Sequence, residues 1–410
     1  MSFSSESTVL YPLNIKTHRD MNEAIARIGA DLRSNVYFQP KRNTRHIYIT
    51  HADFRAAAYM KQEILARGGD AVVGKHVMDA KATHSDVLLV GTEGVLNALL
   101  QKMGAMDCWG LKDLRERMGL LLENIARESW RLLLPKQRKL LLDSDTKIMG
   151  ILNMTTDSFF SGSRLNDEKE LLHKAEKMLR EGADILDVGA ESTRPGSDPV
   201  PEKEEIERLI PALKSLRKAF PDAVLSVDTY KGKVAQLAAD AGADIINDVG
   251  GFELSPDMLQ AAARSGLPYV LSHIKGTPPA MQNAPEYENL LAEVHSYFQN
   301  KIEKAEQTGL SRERLIVDPG LGFGKKMNDN LLLIKEAECF KSLGCPILLG
   351  HSRKKFTGTI TGTEGAEDRL QATAALSALL EGRVQIVRVH DVRENRQALL
   401  AARAVRKASL

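Results

Sequence analysis

The sequence is poor in cysteine, nearly free of net charge and without a long apolar run, and each shortage removes a class of protein. Its three cysteines, Cys108, Cys339 and Cys345, include no CxxC pair. The opening MSFSSESTVLYP has neither the basic region nor the apolar core of a secretory signal. Reduced thiols and a cytoplasmic location are therefore expected. With 56 Lys+Arg against 54 Asp+Glu the formal charge is +2, so no nucleic-acid-binding face and no acidic tail shows in the totals. No apolar run approaches the roughly 18 residues that mark a membrane-spanning helix. Internal repeats and low-complexity segments are also missing. What is present is 43% hydrophobic residues in 410, enough for a large core and too many for a disordered chain or a disulfide-built miniprotein. At roughly 150 residues per domain that length predicts two or three domains, or one α/β barrel of about 250 residues with a smaller companion.

From residue 147 onward, short β-rich runs alternate with stretches of helical periodicity, the pattern of repeated βα units around a parallel sheet. The runs are 147–153, 184–190, 223–229, 243–249, 268–274, 314–320, 346–352 and 384–390. Helices are expected over 168–181, 202–219, 231–241, 256–265, 287–308, 329–342, 366–381 and 393–407, with Ser255-Pro256 opening the fourth. Eight of each predicts a (β/α)8 TIM barrel over 143–410. Nearly every run ends on or beside a polar residue: Asn153, Glu191, Asp228, Asn247, His273, Asp318, Ser352 and His390. In a barrel these ends converge on one mouth. Any one of them has a plainer reading as a turn former or helix cap; together they point to a ligand.

Residues 1–142 read as a small N-terminal α/β domain of unknown role, with strands at 46–50, 70–78 and 86–92 and helices at 53–67 and 93–103. The basic, leucine-rich stretch 111–139 is expected to be an amphipathic helical linker.

Several loops carry chemistry. Residues 151–164 follow Asn153 with Thr155, Thr156, Asp157, Ser158, Ser161 and Ser163, an oxygen-rich loop suited to an anionic or metal-bound group. Residues 189–201 hold Thr193 and Arg194, a hydroxyl and a planar fork donor, beside a Pro195-Gly196 turn. Asp228, Asn247 and Asp318 would place two carboxylates and an amide in one cavity, a set that reads the donor edge of a pterin or guanine. The glycines of GLGFGK do not make a P-loop, because Pro319 holds the first glycine position and Lys326 follows Lys325. GHSRKKF supplies Ser352, Arg353, Lys354 and Lys355, and RVHDV places Arg388 and His390 two apart, so both can face the mouth. Loops after the last two strands of barrels commonly hold phosphate.

In that order, ILNMTTDSFF, DVGAESTRPG, SVDTYKG, IINDVGG, HIKGTP, VDPGLGFGK, GHSRKKF and RVHDV closely resemble the motifs of dihydropteroate synthase, over about residues 147–405. The resemblance implies a transferase of folate synthesis and sulfonamide target, joining (7,8-dihydropterin-6-yl)methyl diphosphate to 4-aminobenzoate with Mg2+. It further implies Asn153 at the metal and Asp228, Asn247, Asp318 and Lys354 on the pterin. Thr193, Arg194, Arg388 and His390 would contact the diphosphate, and Asp157, Arg194, Lys354, Arg388 and His390 would serve catalysis. A cytoplasmic homodimer is expected from the same source. Alanine at Arg388 or His390 is then expected to harm turnover far more than folding. The sequence departs from the family where Thr156 replaces a proline, Ser161 stands for a second loop aspartate and Lys355 takes a position that is commonly serine. The nearest rival is a pterin-binding methyltransferase using a methylated reduced folate, which has no need of a diphosphate site. A metal-dependent barrel hydrolase would carry His-x-His where this chain reads LNM. A binding protein with a retained fold would have lost the mouth residues. The N-terminal region is expected to serve assembly.

Overall fold

The computed structural model describes residues 10–15, 17–154, 164–191, 199–276, 281 and 285–408. The chain divides into two compact units, one ending at Leu122 and the other running Glu123–Lys407.

The first unit is a three-stranded antiparallel sheet of β1 (Thr44–Asp53), β2 (Asp70–Val73) and β3 (His84–Thr92), ordered β1-β3-β2. Period-two alternation puts Ile47, Ala71, Val87 and Leu89 on one face. There they pack against Met60 and Ile64 of helix Phe54–Leu65 and Leu96, Leu99 and Met103 of helix Glu93–Met103. Asp53 and Thr92 cap these two helices through side-chain oxygens. The second strand stops at Val73, five residues short of the expected run.

The second unit is the barrel. Its strands are β6 (Lys147–Asn153), β7 (Ile185–Gly189), β8 (Val224–Asp228), β9 (Ile245–Asp248), β10 (Tyr269–Ser272), β11 (Leu315–Asp318), β12 (Leu348–Leu349) and β13 (Ile386–Val389). They form one parallel sheet ordered β11-β10-β9-β8-β7-β6-β13-β12, and a bridge between Val317 and Ile347 joins its two ends. Several helices differ from the expected ranges; the first already begins at Arg164 and the fifth runs Leu290–Gln307. The fourth begins at Met258 with Asp257 as its cap position, so Ser255 and Pro256 precede it. The stretch 329–342 divides into a helix over Met327–Lys335 and a 3-10 segment over Ala337–Leu343. The 366–381 stretch begins as a 3-10 turn and becomes α-helical at Leu370.

The period of the strands sorts the barrel interior into layers. Met149, Ile185, Ile245, Val270, Ile316, Leu348 and Ile386 make one apolar cluster, with Val224 packed against it. Each strand contributes one residue, so these point inward at the amino end. Two residues further along each strand the same face carries Ile151, Asp187, Ser226, Asn247, Ser272, Asp318, Gly350 and Arg388. An apolar floor thus lies beneath a polar layer.

That floor continues into a hairpin. The stretch 111–139 is α-helical only over Leu111–Ala126; β4 (Trp130–Leu133) and β5 (Lys139–Leu142) follow as an antiparallel pair. Pro135 cannot continue a helix, and WRLL and KLLL alternate buried with exposed residues. Trp130, Leu132, Leu134, Leu140 and Leu142 join the floor cluster, and the Trp130 indole N–H donates to the Gly344 carbonyl at 2.9 Å. Replacing Trp130 by Ala should cost about 3–5 kcal/mol, read as a lower urea midpoint; a shift below 1 kcal/mol would refute this closing role.

Candidate active site

The polar layer is organised around one arginine. Arg388, the third residue of β13, donates from Nε to Asp187 Oδ2 at 2.6 Å and from Nη2 to Asp228 Oδ2 at 2.5 Å. Asp187 also accepts from the Asn247 amide nitrogen at 3.0 Å. Asp187 is fully buried, and Asp228 and Asn247 nearly so. Buried carboxylates persist when paired and hydrogen-bonded, and here two share one planar fork. Burial, reinforced by the neighbouring carboxylates of Asp187, Glu205 and Asp248, pushes Asp228 up to about 7 against the pull of Arg388.

Asp318 ends β11 and accepts the Gly320 amide at 2.8 Å. Burial raises its carboxyl too, opposed by that amide and by Lys354, Lys325 and Arg388. The loop behind it needs glycine: Gly320 sits at φ 69°, and a Cβ there would collide with the His273 carbonyl. Lys325, within that loop, is buried, with Nζ 2.9 Å from His273 Nδ1 and 3.0 Å from the Phe323 carbonyl. Burial, with the Lys325 charge, holds His273 near 2, so its ring is neutral and Nδ1 accepts. Lys354 Nζ lies 4.2 Å from the Phe323 ring centre. Removal from water and the Arg388 charge lower it to about 8, although Asp318 and Asp228 favour its charged form.

The strand-end residues thus separate. Asp228, Asn247 and Asp318 belong to one electrostatic group with Arg388 and Lys354. His390 meets the Ser352 hydroxyl at 3.0 Å from Nδ1. Arg353 forms a two-point pair with Asp391 at 3.0 and 2.6 Å. Glu191 instead pairs with Lys231 at 2.6 Å, and Lys231 also holds the buried Glu205. Lys355 is exposed on the first turn of helix Lys355–Thr361. Asp157, Thr193 and Arg194, with Thr156 and Ser161, lie outside the described residues.

Sequence reasoning expected Arg388 on a diphosphate. Its Nε and Nη2 hydrogen-bond two carboxylates inside the barrel. It missed Asp187, whose signal was a lone acid within the buried strand ILDVG, of the same parity as the floor residue Ile185. It also left Lys325 without a role.

No helix among the described residues is long and apolar enough to cross a membrane. No group of three or more His, Cys, Asp or Glu able to hold a metal occurs among them either.

Acceptors over an apolar floor, ringed by cations, define a site for a flat donor-rich heterocycle carrying an anionic group. Comparison agrees: residues 149–390 match the pterin binding enzyme family, and the chain belongs to it. A dihydropteroate synthase of Synechocystis is 40% identical over 261 residues, covering 63% of this chain and 90% of that protein. A probable bifunctional folylpolyglutamate synthase/dihydropteroate synthase of Haloferax volcanii is 35% identical over 95% of this chain, which spans 47% of that relative. Among solved structures, the Xanthomonas albilineans dihydropteroate synthase in complex with 7,8-dihydropteroate superimposes with a TM-score of 0.61 at 37% identity, covering 68% of this chain and 99% of that one.

Proposed function

We infer that the particular activity within this family is that of a dihydropteroate synthase. The enzyme condenses (7,8-dihydropterin-6-yl)methyl diphosphate with 4-aminobenzoate to give 7,8-dihydropteroate and diphosphate. The methylene–oxygen bond to diphosphate breaks, a carbon–nitrogen bond to the arylamine forms, and the amine loses a proton. The observation that carries the reading is the Asp187–Arg388–Asp228 ion group, with Asn247 bound to Asp187 and Asp318 acting on the same arginine, toward the carboxyl ends of the barrel strands.

Its chemistry fits the reaction. Asp228 and Asp318 accept hydrogen bonds from the pterin ring, and their fixed carboxylates face it. Such an environment stabilises positive charge developing on the pterin as diphosphate leaves. Lys354 lies on the pterin beside Phe323, and His390 meets the diphosphate. With the ring held by fixed groups, positioning contributes more than a strong base, since the arylamine is already nucleophilic.

Mg2+ would be held by the amide oxygen of Asn153, at the end of β6, with Asp157 following in the next loop. A single amide oxygen suits a cation that keeps several waters and takes its other ligands from a diphosphate. When bound, Mg2+ would neutralise charge on the leaving group. We further take the enzyme to be a cytoplasmic homodimer, which sedimentation of the purified chain at micromolar concentration tests; a monomer would overturn it.

The direct test is an assay with the dihydropterin-methyl diphosphate and labelled 4-aminobenzoate. Labelled dihydropteroate is expected, and should be lost on chelation and restored by Mg2+. Pterin binding without product would move the assignment to the methyltransferases.

A further inference from the structure

Asp187 is not exposed at all, yet it touches two residues of the pterin site. Its Oδ2 is shared between Arg388 Nε and Asn247 Nδ2, and its Oδ1 is buried with no hydrogen-bond partner among the described residues. A carboxylate can only accept. Whatever Asn247 turns toward it must therefore be nitrogen, so chemistry fixes which way that amide faces. A free Asn exchanges its oxygen and its NH2 by rotating about the terminal bond and would suit ligand edges of either order. An Asn with its nitrogen tethered presents one order only. The same carboxylate takes the Nε of Arg388 while Asp228 takes Nη2, which fixes the plane of the guanidinium.

We propose that Asp187 is a positioning residue that sets the donor–acceptor order of the pterin pocket: by tethering the Asn247 amide and the Arg388 guanidinium, it makes the site select the 2-amino pterin edge over the 2-oxo edge of a lumazine. This rests on the pterin reading above. Selectivity comes from the mismatch cost, because a polar group tethered by Asp187 cannot turn to meet the wrong edge and is left unpaired.

The experiment measures 6-hydroxymethylpterin and 6-hydroxymethyllumazine binding by calorimetry to the full chain and to Asp187→Asn. The wild type should prefer the pterin strongly. In Asp187→Asn the new amide can donate or accept, Asn247 can turn, and the preference should shrink at least tenfold while the melting temperature is followed separately. An unchanged ratio, with both affinities falling together, would reduce Asp187 to a fold residue and overturn the proposal. Should the variant not fold, the wild type still decides. With 15N-asparagine, the Asn247 side-chain amide, assigned by its loss in Asn247→Ser, should exchange slowly with solvent. Exchange at the rate of exposed amides overturns the tether. Failure of the wild type to bind 6-hydroxymethylpterin would overturn the pterin reading, and the amide-exchange result would still test the tether.

Discussion

Replacing Arg388 by Ala should lower kcat/KM for the pterin diphosphate by about 10^3 and also destabilise the barrel by about 3–5 kcal/mol. The second effect was not expected from the sequence, which set Arg388 on the substrate. It follows from Asp187 and Asp228, both within 2.6 Å of the guanidinium and both shut away from water. Without the arginine, two buried carboxylates face each other unpaired and must take up protons. Their folded-state pKa values then lie above the unfolded value near 3.9. Stability in the variant should accordingly be best below that value and be lost as pH rises through the raised pKa values, opposite to ordinary acid denaturation. Arg388→Lys should recover little, since one ammonium cannot span both carboxylates. Urea melts from pH 4 to 8 decide the matter. A wild-type slope with only activity lost would mean that the ion group does not hold the fold.

The pH dependence of the wild-type enzyme should be narrow. Asp228 must be ionised to accept from the pterin, and burial raises it to about 7. Lys354 must be charged to sit on the ring, and burial beside Arg388 lowers it to about 8. The profile of kcat/KM for the pterin diphosphate should therefore be bell-shaped, falling tenfold per pH unit below about 7 and above about 8. Lys354→Arg keeps its charge throughout, so its alkaline limb should move out of range while the acid limb stays. With the substrate's own titration divided out, an identical alkaline limb in Lys354→Arg would remove Lys354 from that role.

Much of this site was legible in one dimension. Asp228, Asn247 and Asp318 end parallel strands, and a barrel brings such ends together whatever the helices between them do. Asp187 lies inside a strand rather than at its end, and only its shared parity with Ile185 turns it toward the mouth. In residues 128–139 leucines and basic residues at mixed spacing satisfy a helical face as well as two short alternating strands. What settled the matter was the open amino end of a barrel, which needs an apolar cover.

By itself the sequence determined that the chain folds as a (β/α)8 barrel after a small α/β unit, and which family its motifs belong to. Strand period and motif order are local properties that survive without coordinates. Only the tertiary structure decided how charge is shared in the mouth. Arg388 lies 201 residues from Asp187 and 160 from Asp228, and nothing in their local sequence says which acids share one arginine. That pairing depends on distances of a few ångströms in a medium without water, where a neighbour's charge decides whether a proton stays.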